Sequence, residues 1–179
     1  MGYGIISVNK SNVSLIEMGV LHLSKHKDHS ERLQLIFKKM ESLIKIHQPE
    51  AVAIEAPFFG KNVQSMLKLG RAQGVAIAAA MMSGLHATEY APRKIKQSIT
   101  GNGNATKEQV AAMLQNLLSF KETPEFLDAT DGLAVAVCHS FQKISTGKGS
   151  SGSKKAYSGW ETFVQDNKSR VAGISKIKK

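Results

Sequence analysis

From residue 13 to residue 23 apolar positions recur among polar ones, with Val13, Leu15, Val20, Leu21 and Leu23 as core candidates. Residues 3–8 are similarly apolar, and the polar stretch Asn9–Asn12 between the two segments predicts a pair of strands joined by a turn. The period then lengthens. Leu33, Ile36, Phe37, Met40, Leu43 and Ile44 repeat at helical spacing behind Asp28 and Ser30, either of which can cap the helix, and Pro49 ends it. Ala51-Val-Ala-Ile-Glu55 is a short apolar run of the kind buried on both faces of a sheet. Pro57 stops it, and Phe58-Phe59-Gly60-Lys61 forms a loop before a helix from about Asn62 to Met82, in which Gly70 and Gly74 permit close packing. His86–Ala91 is the next strand and Arg93–Thr100 a short helix, followed by a turn at Gly101–Asn104. Thr106 and Gln109 make a capping box for a helix to about Leu118, and Thr123 with Pro124 opens a last helix to about Ile144. Strands that give way to strand–helix alternation predict an α/β protein, a mixed sheet flanked by helices on both faces.

Composition narrows the class. A chain of 179 residues, 42% hydrophobic, is long enough to bury one substantial core. No apolar run approaches the roughly 20 residues of a membrane span, and Met1–Ile6 has no signal-peptide pattern. The lone Cys138 excludes an intramolecular disulfide and suits a reducing cytoplasm. Seven of the nine residues 145–153 are Ser or Gly, which predicts a domain over 1–143 and a flexible tail over 144–179. That tail holds eight Lys/Arg against two acids, +6 of the net +10, so +4 falls on the rest. Such a balance points to nucleic acid rather than membrane.

Acids are scarce, 14 against 24 Lys and Arg, yet three stand in otherwise apolar segments. Asp128 and Asp131 are three apart on a helix and so share a face. Glu55 ends a strand, where ligands of open α/β sheets collect. Two readings stand: the aspartates belong to a solvated first turn favoured by the helix dipole, or they join Glu55 in holding Mg²⁺. Phe58 and Phe59 fit a core anchor, or stacking on an unpaired base beside Lys61. Arg93, Lys94 and Lys96, with the helix start at Lys107, offer positive charge and free N–H groups for phosphate.

Read in order, Gly2-Tyr-Gly-Ile-Ile6, Ala53-Ile-Glu55-x-x-Phe58, Lys61-Asn-x-x-Ser65-x-x-Lys68-Leu-Gly70-x-Ala72-x-Gly74 and Glu89-Tyr90-Ala-Pro92-x-x-Ile95-Lys96 form a family pattern. Gly101-x-Gly103-x-Ala105-x-Lys107-x-Gln109-Val110 and Asp128-Ala-x-Asp131-x-Leu133-Ala134 continue it. Together they resemble the RuvC family of Holliday junction endonucleases in the RNase H-like superfamily. The resemblance implies a cytoplasmic homodimer that nicks two strands of a four-way DNA junction symmetrically and works with RuvA and RuvB. It implies metal ligation by Glu55, Asp128 and Asp131, with Mg²⁺ or Mn²⁺ and two ions per site. Lys107 and Lys96 would meet the scissile phosphate, Phe58 would stack on a base, and Lys61 and Arg93 would contact DNA. One departure stands out. The family's first, central strand ends in an aspartate before Pro-Gly and lies just upstream of Gly-Tyr-Gly, where this sequence has only Met1. The expectation is therefore an RNase H-like sheet lacking that strand, with two exposed strand edges, and a working polypeptide that starts upstream of Met1. The alternative is a junction-binding protein whose cleavage is lost with that aspartate.

Overall fold

A computed structural model describes residues 1–10, 12–57, 62–120 and 127–147, the last five of them for backbone alone. β1 (Gly2–Asn9) and β2 (Asn12–Val20) pair antiparallel around the expected turn, with a register shift between Ile5 and Ile6. α1 (His29–His47) begins where Asp28 accepts the Glu31 N–H at 3.0 Å and ends at Gln48, left-handed at φ 44°, just before Pro49. β3 (Val52–Glu55) leads into α2 (Val63–Met82), capped by Asn62. β4 (Ala87–Tyr90) runs parallel to β3, placing Tyr90 opposite Glu55. α3 (Pro92–Thr100) carries proline at its first turn, and Gly101 closes it at φ 76°. α4 (Lys107–Leu118) has the predicted box, with Thr106 Oγ1 accepting from Gln109 N and Gln109 Oε1 accepting from Thr106 N. α5 (Leu127–Gly147) runs slightly past the expected Ile144. The proposed helix start at Thr123 and Pro124 lies outside the described residues, as do the Ser/Gly linker and the basic tail beyond residue 147.

Among the described residues the strands form two separate two-stranded ladders, β1–β2 and β3–β4. β1 and β3 thus each keep an edge without a ladder partner there, as expected of a sheet without its central strand. One strand-level expectation needs correction. Ala51–Glu55 is not buried on both faces: Val52, Ala53 and Ile54 are half-buried and Glu55 is exposed. Its composition is that of an inner strand, but only one side of it finds a partner.

α5 is the axis of the core. Leu133, Val137 and Cys138 are fully buried, with Leu114 of α4 and Ile95 and Ile99 of α3 packed around them. Cys138 is thus a small buried hydrophobe, as its sequence context predicted. Gly132 lets α5 touch β1 backbone to backbone; a β-carbon there would lie 2.6 Å from Tyr3 Cα. Farther along, Tyr90 at the end of β4 hydrogen-bonds His139 of α5 through its hydroxyl, 2.9 Å from Nδ1. A third link is polar. Glu17 of β2 accepts from the Tyr3 hydroxyl at 2.8 Å on one oxygen and pairs with His47 Nε2 at 2.8 Å on the other. Lys39 of α1 sits 4.4 Å from the centre of the Tyr3 ring. This knot ties α1 to the β1–β2 pair.

A candidate metal and phosphate site

Four polar side chains from four elements converge on a small pocket floored by Ile95, Val110 and Ala134. Glu55 reaches it from the end of β3, Lys96 from α3, Lys107 from the first residue of α4 and Asp131 from α5. Each element delivers its residue for a local reason. β3 must stop at Pro57, and the capping box fixes where α4 begins, so Glu55 and Lys107 sit at the mouths of their elements. The buried face of α5 forces Asp131 to its pocket-facing edge.

Lys107 Nζ lies 2.5 Å from Asp131 Oδ2, an ion pair with both side chains about half exposed. The Asp131 hydrogen bond, then the charges of Asp131, Asp128 and Glu55, hold the Lys107 ammonium above the usual lysine range, against some desolvation. Glu55 moves the other way for an acid. Partial burial first, then the negative charge of Asp131, push its carboxyl up, while Lys107 and Lys96 pull it down. Among the described residues no donor hydrogen-bonds to Glu55.

Asp128 stands apart. It is exposed in the first turn of α5 and is absent from the pocket lining, although its charge is felt by Lys107 and by the N-terminal amine of Met1. Residues three apart on a helix differ by about 60° in direction, and the pocket edge falls between the two aspartates. Among the described residues no three Asp, Glu, His or Cys side chains gather as a ready metal cage. Two carboxylates with a cation already seated on one of them are still a donor set suited to a hard divalent ion, which takes few carboxylates and keeps several waters.

Arg93 is exposed outside the pocket and folds over the α3–α4 turn, where a β-carbon on Gly103 would lie 2.6 Å from its Cγ. Phe58 and Lys61 fall outside the described residues. Sequence reasoning gave no role to Tyr90 or His139. Tyr90 neighbours Glu55 across the β3–β4 ladder, and that register, had the strand pairing been known, was the signal that could have marked it.

Comparison with known proteins follows the same lines. The family model for the crossover junction endodeoxyribonuclease RuvC matches residues 1–139. The RuvC of Cytophaga hutchinsonii is 54% identical over 180 residues, spanning 100% of this chain and 86% of that protein. That of Bacteroides fragilis is 52% identical over 173 residues, spanning 96% and 89%. A solved structure of T. thermophilus RuvC in complex with Holliday junction substrate superposes with a TM-score of 0.74 at 32% identity, over 81% of this chain and 88% of that one. The fold is RNase H-like.

Proposed function

This chain belongs to the RuvC family of crossover junction endodeoxyribonucleases, and from that premise we propose that it resolves four-way DNA junctions by paired, symmetric, Mg²⁺-dependent nicks. The observation that carries the proposal is the meeting of Glu55, Asp131, Lys107 and Lys96 at the carboxyl end of β3. When bound there, a divalent ion supplies an activated water and charge neutralisation at the phosphate. Glu55 and Asp131 would hold it, with Asp128 joining from the next turn, and Mn²⁺ would substitute for Mg²⁺. A second ion would be held through the helical aspartates Asp131 and Asp128. Lys107 and Lys96 offset the charge of the scissile phosphate, Arg93 and Lys61 contact the backbone, and Phe58 stacks on a base opened at the junction centre.

Paired cuts call for two sites related by a two-fold axis, and α2 carries a face fit for a homodimer. Val63 and Leu67 are 64% and 50% exposed, Met81 is 66% exposed, and Gly70, Gly74 and Ile77 complete the alternating four-and-three spacing of a helix–helix seam. Nothing lies within 4 Å of a β-carbon built at Gly70 or Gly74. Leu67→Asp is therefore expected to turn a dimer into a folded monomer in light scattering and to uncouple the two nicks. A Leu67→Asp protein that stays dimeric would place the interface elsewhere. In the cytoplasm the enzyme acts with the RuvA and RuvB branch-migration machinery.

The test is cleavage of a four-way junction against duplex at fixed salt, with and without Mg²⁺. Equal treatment of both DNAs would defeat the junction reading. One observation favours a second reading, a protein that binds junctions without cutting: the absence of a three-carboxylate cage among the described residues. Tight junction binding with no Mg²⁺-dependent nick would select it.

A further inference from the structure

We propose that Lys107 is a placeholder for the metal: its ammonium occupies Asp131 in the metal-free protein and must leave before a divalent ion binds, which releases it to the DNA phosphate. The inference rests on the metal-dependent reading above and adds an order of events to it.

Three observations carry it. The Lys107–Asp131 contact joins α4 to α5 directly, so the ammonium already covers the oxygen an ion would take. Lys107 lines the same pocket as Glu55 and Asp131, so an ion held by both carboxylates would have to share that space with the ammonium, and Mg²⁺ brings several waters of its own. Lys107 is 53% exposed and stands at the first position of α4, so its side chain can swing outward while α4 stays packed. A lysine suits this exchange because it is a compact charge on a flexible stem, without the two-point grip of an arginine. Lys96 lines the same pocket but forms no ion pair among the described residues, which makes it a control for charge alone.

An ion that binds only when Lys107 has left sees its affinity reduced by the fraction of time the site is open. If that fraction is about a tenth, removing the ammonium tightens binding about tenfold. The unsubstituted protein, Lys107→Met and Lys96→Met are titrated with Mn²⁺ by calorimetry, and folding is checked by circular dichroism. In parallel, the rate of Lys107 acetylation in the unsubstituted protein is followed by mass spectrometry with and without saturating Mg²⁺. The expected result is about tenfold tighter Mn²⁺ binding in Lys107→Met, a clearly smaller change in Lys96→Met, and faster acetylation of Lys107 when Mg²⁺ is present. If the metal binds while Lys107 acetylation stays constant, or if both substitutions tighten binding equally, the placeholder is overturned and the metal site survives. Should neither the unsubstituted protein nor Lys107→Met take up Mn²⁺, the metal reading itself fails and the placeholder goes with it.

Discussion

Glu17 and Glu55 are both strand glutamates with cations nearby, and the protein treats them in opposite ways. Glu17 has a partner on each oxygen, Tyr3 and His47, and its carboxyl is held below the usual glutamate range, the Tyr3 hydrogen bond being the largest cause. Glu55 has no hydrogen-bond donor among the described residues, faces Asp131 and is pushed upward. The first arrangement satisfies a carboxylate and fastens helix to sheet. The second leaves a carboxylate wanting a cation. How many donors each oxygen owns separates these two acids better than burial does, since neither is deeply buried.

Substitutions can break that contrast. The largest effect is expected at Asp131→Asn, with junction cleavage down on the order of a hundredfold or more, comparable to removing a transition-state charge partner elsewhere, in a protein that remains folded. Cleavage at the unsubstituted rate would remove Asp131 from the site. Glu55→Gln is expected to lose most cleavage yet melt at the same temperature or higher, because it relieves the repulsion with Asp131. A clear drop in Tm would mean that Glu55 is structural after all.

Glu17→Gln should do the reverse, lowering Tm at neutral pH while leaving the cleavage of folded protein intact. The sign of its pH dependence follows from its direction. A carboxyl depressed in the folded state contributes stability that is complete above the unfolded value of 4.5 and fades as pH falls through the lower folded value. The Tm gap between the two proteins should therefore close on acidification below about pH 4.5; a gap that widens there contradicts the knot. The smallest effect is expected from Lys39→Met, which removes a cation from the Tyr3 face and should cost about 0.5–1 kcal/mol in denaturant unfolding.

The fold was legible wherever short-range chemistry sets it. Asp28, the Thr106–Gln109 box and the Asn9–Asn12 turn depend on neighbours within four residues, and each sits where the pattern predicted. Ala51–Glu55 misled because an apolar run reports preference for burial, not whether a second neighbour arrives. At the site, the strand-end position of Glu55 and the resemblance drew attention to residues that do meet. The Lys107–Asp131 contact spans 24 residues and Tyr90–His139 spans 49, so no local period encodes either. The three-residue spacing of Asp128 and Asp131 could not say which of the two the pocket would admit, since that depends on how α5 is rotated against β3 and α4.

That rotation is fixed by two bearings already described, the backbone seat of Gly132 on Tyr3 and the Tyr90–His139 bond farther along α5. A shaft held at two points neither spins nor slides, so rearrangement around Asp131 is left to side-chain torsions. Exposed side chains flip in picoseconds to nanoseconds, far faster than enzymes turn over. Rearming the chemistry end of this molecule therefore asks for a swing of side chains and no travel of α5.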